Sequence, residues 1–254
     1  MHDKILSIEN LNVNICNSII LNNFNLNIYN KETHVIMGPN GSGKSTLCKV
    51  LAGHPSYKIV SGKIIFFKEL LTDIVPEQRV LKGLFLAFQN PVEILGLTNS
   101  EFLRIIFNQK QKYLNKKELD PIEFSYKLEN LKKKFKLKKT FLTRDLNCGF
   151  SGGEKKLNEI LQMLLLKPYL IILDEIDSGL DIDALKLISQ NINKYMIKNL
   201  IFSILLITHS AKIIKYIKPS YLHLMIEGKI LKTGSISLLR DIEKYGYVDL
   251  ITKI

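Results

Sequence analysis

Nine consecutive residues, Gly38-Pro39-Asn40-Gly41-Ser42-Gly43-Lys44-Ser45-Thr46, set glycines around a lysine and a run of hydroxyls. The spacing G-x-x-x-x-G-K-S/T suits a phosphate chain. Glycines let the backbone curl until successive N–H groups face inward as an anion nest. A helix beginning at Lys44 would point its positive end at the same spot. Lys44 supplies a point charge to the terminal phosphates, and Ser45 offers a hydroxyl to Mg²⁺. The bland alternative is a glycine-rich turn before a helix, which requires neither the Lys-Ser pair nor the β-rich run that precedes it.

A second constellation is Leu170-Ile171-Ile172-Leu173-Asp174-Glu175, an apolar run that ends in two carboxylates. Carboxylates at the end of a buried strand sit where ligands bind in parallel sheets. Asp174 suits the shell of Mg²⁺, and Glu175 suits polarising an attacking water. Gln89 follows the apolar run Leu84 to Phe88 and would reach the metal and the water; alone it is only a polar strand end. His209 closes the run Ile201 to Thr208 and can hydrogen-bond a γ-phosphate, although a lone histidine is usually structural. Ser178-Gly179-Leu180-Asp181 comes just after Glu175 and is placed to cross a subunit boundary.

A third constellation is Ser151-Gly152-Gly153-Glu154, before a helical stretch from Lys155 to Leu165. Ser151 stands at an N-cap position, and Glu154 three residues later completes a capping box. A good helix start is the structural reading. Two adjacent glycines, however, weaken a first turn, while their bare N–H groups make a second phosphate site. The chain already holds a complete phosphate loop, so the second site suits another subunit's nucleotide.

The elements around these residues form a pattern. Ile5 to Glu9, Leu11 to Ile15 and Leu21 to Tyr29 alternate as half-buried strands do, giving an antiparallel opening. Thr33 to Met37, Gly62 to Phe67, Leu170 to Leu173 and Ile201 to Thr208 read as further strands. Lys44 to Ala52, stopped by Gly53 and Pro55, and Asp183 to Met196 read as helices. Tyr221 to Ile226 and Lys229 to Thr233 read as a hairpin across Glu227-Gly228. From about Pro91 to Cys148 strand signals vanish, and Glu101 to Leu114 and Ile122 to Phe135 carry helical spacing. The expectation is one domain over 1–254: an α/β core with a mainly parallel sheet and an antiparallel β subdomain (1–90 and 150–254), and an inserted helical subdomain (91–149).

Composition narrows the functional classes. The chain has 254 residues and a net charge of +12, enough basic excess to raise nucleic-acid binding. The basic residues are nearly all lysine, beside abundant Asn and Ile, so an AT-rich genome accounts for much of the charge. No basic strand is studded with aromatics for stacking bases, and nucleic acid is not the expected partner. The run Lys132, Lys133, Lys134, Lys136, Lys138 and Lys139 reads as a solvated helix face. Cys16, Cys48 and Cys148 form no CxxC pair, which argues against a disulfide framework or a zinc site. Neither a leader peptide nor an integral membrane segment is visible.

In this order the motifs resemble the ABC ATPase family. Gly38 to Thr46 is similar to its Walker A loop, Gln89 to the Q-loop, Ser151 to Glu154 to the signature, Asp174 and Glu175 to Walker B with the catalytic glutamate, Ser178 to Asp181 to the D-loop, and His209 to the switch histidine. The resemblance implies a P-loop NTPase fold with a RecA-like core. It further implies ATP and Mg²⁺ as cofactors, and a head-to-tail dimer on ATP binding in which Asp181 and Ser151 to Glu154 face the other subunit's nucleotide. The flanking residues Ala87 to Ile94, Asn147 to Met163 and Asp174 to Lys186 resemble the SufC branch. That implies SufB-like and SufD-like partners in iron–sulfur cluster assembly. It also implies a soluble protein of the plastid stroma, organelle-encoded, or of a bacterial cytoplasm. The ATP-binding subunit of a membrane transporter and a nucleotide switch are the alternatives. In place of the aromatic that many family members stack on adenine stands the aliphatic Ile15.

Overall fold

The computed structural model describes residues 3–15, 18–135 and 137–252; Met1, Cys16 and Lys136 lie outside them. The chain opens with strands β1 (Lys4–Ile15), β2 (Ser18–Tyr29) and β3 (Thr33–Met37), then helix α1 (Lys44–Ala52). Strands β4 (Lys58–Phe66) and β5 (Glu69–Leu70), helix α2 (Pro76–Lys82) and strand β6 (Leu84–Ala87) follow. Next come β7 (Ile94–Thr98), α3 (Asn99–Tyr113), α4 (Pro121–Phe135), α5 (Lys139–Thr143) and β8 (Asp145–Leu146). The chain ends with α6 (Gly152–Leu166), β9 (Leu170–Asp174), α7 (Ile182–Lys198), β10 (Ser203–Ile207), α8 (Ala211–Tyr216), the hairpin β11 (Tyr221–Ile226) and β12 (Lys229–Gly234), and α9 (Ser237–Thr252).

Among the described residues the central sheet has six strands in the order β12-β11-β3-β10-β9-β6. Every neighbouring pair in it is parallel except the β11–β12 hairpin. Strands β3, β9 and β10 are buried at every residue, and their continuous apolar runs fit a sheet covered on both faces. A second, antiparallel sheet has the order β2-β1-β4-β5. One core cluster joins its inner residues, such as Leu6, Phe24 and Ile64, to Leu47 and Leu51 of α1 and to one face of the central sheet. The other face packs α6, α7, α8 and α9 in a second cluster that includes Ile160, Ile188, Ile213 and Leu238. Leu103 and Phe107 of α3, Phe124 and Leu128 of α4 and Leu165 of α6 form a third cluster.

Two expectations need correction. The segment between Pro91 and Cys148 contains strands: β7 and β8 pair antiparallel, Ile94 opposite Leu146 and Thr98 opposite Asp145. Ile94 to Gly96 are exposed, so burial imposes no alternation that a sequence pattern would reveal. The opening also contains one long strand rather than two. Asn10 takes φ 50°, and the β1 register against β2 slips between Ile8 and Leu11. The strand therefore bends through a bulge without breaking.

Candidate active site

Three of the predicted functional segments leave the carboxyl ends of neighbouring parallel strands, where open α/β sheets bind ligands. The phosphate loop follows β3, the acidic pair closes β9 and His209 comes two residues after β10. Gln89 likewise follows β6. Sheet order brings together residues that lie far apart in sequence.

Tight contacts shape the phosphate loop. A Cβ on Gly38 would lie 2.0 Å from the Met225 carbonyl oxygen of β11, so the strand end can approach that carbonyl only as glycine. Gly43 takes φ 100° at the N-cap of α1, a conformation that side chains disfavour. The Gly228 N–H donates to the Ser42 carbonyl at 2.9 Å, fastening the loop to the β11–β12 turn. Lys44 Nζ folds back over the loop and donates to the carbonyls of Gly38 at 2.9 Å and Pro39 at 2.8 Å, and to Ser42 Oγ at 3.3 Å. Burial lowers the Lys44 pKa, against the pull of Glu175 and Asp174. Both carboxylates are therefore near enough to sense the lysine, as a shared phosphate–metal site requires.

Asp174 is buried, and its Oδ1 has no hydrogen-bond partner. Burial, and then the charge of Glu175, push its pKa up to about 6. An unpartnered buried carboxylate oxygen is costly unless a cation takes it. Together with the Ser45 hydroxyl at the loop, the donor set is of the hard oxygen kind that Mg²⁺ prefers. When bound, Mg²⁺ would neutralise charge on the β and γ phosphates.

Glu175 has φ 47° and lies between the other two predicted catalytic side chains. Gln89 Nε2 donates to Glu175 Oε2 at 2.6 Å, and His209 Nε2 lies 2.8 Å from Glu175 Oε1. Both carboxylate oxygens are engaged, so activating a water requires one of these bonds to open. The three side chains line a cleft of about 720 Å³ with Pro39 and Asn40. Its sixth lining residue, Tyr247 of α9, is hydrogen-bonded to the Gly38 backbone. Sequence reading missed Tyr247, because a tyrosine in a C-terminal helix carries no motif.

The remaining predicted residues lie elsewhere. Ser151 caps α6 in a reciprocal box with Glu154, and Glu154 also pairs with Arg144 Nη2 at 3.1 Å. The Glu154 carboxylate is thus committed within its own chain. Ser151 and Gly152 are exposed, and neither they nor Gly153 line the cleft at the phosphate loop. Asp181 caps α7 by accepting the Ala184 N–H at 2.7 Å. It lines a separate cleft of about 460 Å³, whose walls include Glu175 and His209.

Phosphate loop, metal-suited carboxylate and sheet edge together define an α/β nucleotide-binding ATPase. Residues 21–178 match the family described as ABC transporter. The "Probable ATP-dependent transporter ycf16" of Antithamnion sp. is 55% identical over 248 residues, spanning 97% of this chain and 98% of that one. The "ABC transporter I family member 6, chloroplastic" of Arabidopsis thaliana is 49% identical over 229 residues, 90% of this chain and 67% of that one. A solved dimeric ATP-binding cassette in a post-hydrolysis state with ADP and Pi shares the fold with a TM-score of 0.77 at 21% identity, covering 91% of this chain and 98% of its own. The chain belongs to the ABC transporter family of ATPases. It binds ATP with Mg²⁺ and hydrolyses the nucleotide.

Proposed function

We propose that this chain is the SufC-like ATPase of an iron–sulfur cluster assembly complex, working as a head-to-tail pair and docking SufB-like and SufD-like proteins. The observation that carries the pairing is the placement of the signature. Ser151 and Gly152 are exposed, at a helix start that the chain's own phosphate-loop cleft does not include. A helix N-terminus with two bare glycines suits the γ-phosphate of a nucleotide held by another subunit. In that arrangement Lys44 and the loop hold one ATP, Ser45, Gln89 and Asp174 hold its Mg²⁺, and Glu175 polarises the attacking water. His209 orients Glu175 and contacts the γ-phosphate, while Asp181 lies at the subunit boundary. Catalysis is then mostly positioning and charge stabilisation.

The branch assignment is supported by the residues flanking the motifs, Ala87 to Ile94, Asn147 to Met163 and Asp174 to Lys186. An apolar groove of about 390 Å³ between α2, β6 and α3, lined by Val80, Phe85, Phe102 and Ile106, supports docking of a partner protein. The name "chloroplastic" on the Arabidopsis relative supports a plastid stroma. The names of the relatives favour a second reading, the ATP-binding subunit of a transporter. Among the described residues no helix is long and apolar enough to cross a membrane. An affinity pull-down from the native source with mass spectrometry separates the two. SufB-like or SufD-like proteins are the expected partners; a multi-spanning membrane protein in their place overturns the assignment.

A further inference from the structure

Helix α6 buries two charges one turn apart. Lys156 is 5% exposed and Glu159 3%, on a face shared with Ile160 and Met163. Removing such a pair from water costs several kcal/mol per ion unless further hydrogen bonds compensate. Here those bonds converge on one short piece of backbone. Glu159 Oε1 accepts the Phe88 N–H at 2.6 Å. Lys156 Nζ donates to the Gln89 carbonyl at 2.9 Å and also to the Phe88 carbonyl. The two side chains face each other at 3.5 Å. Phe88 itself is 50% exposed, so its ring is not what fixes the segment. What holds the main chain on both sides of the Phe88–Gln89 peptide is the ion pair.

Gln89 leaves that peptide and reaches Glu175 at 2.6 Å. An apolar pair of similar volume would pack this face at least as well as two buried charges, so packing alone does not account for them. We propose that Lys156 and Glu159 form a positioning pair that holds Gln89 in register with Glu175, and so controls turnover without touching the nucleotide. Lys156 and Glu159 are the fifth and eighth residues of the helix that starts at Gly152. Movement of that helix start is therefore transmitted along a rigid rod of about 6–10 Å to Gln89. The neighbouring ties run the same way. Lys155 pairs with Glu93 at 2.6 Å, and Asn158 donates to Asn147, whose amide donates to the Val92 carbonyl at 2.8 Å. The proposal rests on the role of Gln89 given above.

The test uses the full chain with Mg-ATP and the double variant Lys156→Met/Glu159→Leu, which removes both charges together and leaves neither unpaired. The expected result is wild-type melting, an unchanged KM for ATP, and a kcat lower by about ten- to a hundredfold, the scale of a reacting group displaced by an ångström or less. In a Gln89→Ala background the same double change should produce no further fall, since its effect passes through Gln89. An unchanged kcat in the folded double variant overturns the proposal, and so does an equal fall in both backgrounds. Should the double variant not melt cooperatively, Lys156→Met, which removes the bonds to the Phe88 and Gln89 carbonyls, carries the test by the same criterion: a fall in kcat with Gln89 present and none without it. Gln89→Ala alone exposes the other failure. If it leaves kcat unchanged, the role given to Gln89 is wrong, whatever the pair does.

Discussion

Gly153→Ala should make the separated subunit more stable and the enzyme nearly inactive. Neither Gly152 nor Gly153 has a positive φ, and both lie in the first turn of α6. A Cβ on Gly153 would meet only Ala184 Cβ at 3.8 Å and Leu180 Cδ2 at 3.9 Å, and one on Gly152 only the Gly179 carbonyl at 3.6 Å. These are ordinary contacts, so the chain's own packing does not demand glycine. Alanine at such a helical position contributes roughly 0.5–1 kcal/mol over glycine. In a domain of this size that raises the melting temperature by about 2–4 °C per kcal/mol. The same methyl would stand between the bare N–H groups and a nucleotide held by the other subunit. Losing one such donor in a transition state costs on the order of a hundredfold in kcat. The assays are thermal melting followed by circular dichroism without nucleotide, and steady-state phosphate release with Mg-ATP. ATP affinity of the separated subunit should not change, because the phosphate loop is untouched. Two results refute the reasoning. A lower melting temperature means that the fold itself needs the glycine, and wild-type turnover means that nothing approaches it closely.

Three further perturbations probe other parts of the molecule. Gly38→Ala forces a Cβ to within 2.0 Å of the Met225 carbonyl; it should cost about 3 kcal/mol or more and abolish ATP binding by calorimetry. Glu175→Gln keeps the shape of the side chain and removes its basicity. Turnover should fall by on the order of 10²–10⁴, and an ATP-bound dimer should accumulate on size exclusion; wild-type turnover would end the role assigned to Glu175. The third perturbation concerns His223, which burial and then the neighbouring His34 push down to about 3. The folded state resists a proton that the unfolded chain accepts below about 6.5, so this part of the stability is full above 6.5 and is lost as pH falls toward 3. At pH 5 the loss is about 2 kcal/mol. His223→Gln should therefore lose less melting temperature between pH 7 and pH 5 than the wild type, and parallel losses would contradict the sign.

The parts of the fold legible in the sequence were those where one local cause decides the structure. Strand β3 and helix α1 have the bounds that the sequence implies, because a run buried on both faces and glycines at each end of the helix leave little choice. Helix α6 starts where the Ser151–Glu154 box places it. What escaped depends on contacts between distant segments. Tyr247 reaches Gly38 across more than 200 residues of sequence, after α9 departs from helical geometry at Gly246 (φ 69°). The three-residue spacing of Lys156 and Glu159 was visible, but that both are buried was not. The clue available was a charged pair on the same helical stripe as Ile160 and Met163. Asn10 separates two alternating runs in sequence, yet it bends one strand, since asparagine adopts a positive φ at little cost. The acidic pair and His209 were legible as strand ends. The contact of Glu175 with His209 at 2.8 Å depends on β9 and β10 being neighbours, which no local pattern states.

The contact of Gly38 with the Met225 carbonyl, and of Ser42 with the Gly228 N–H, has a consequence for any shortened form of this protein. Both partners lie downstream of His209, in a hairpin that contributes no reactive group of its own. A fragment ending just after His209 would retain every recognisable motif and lose the ceiling of its phosphate loop. Such a fragment would pass for an ATPase by its sequence and leave ATP unbound.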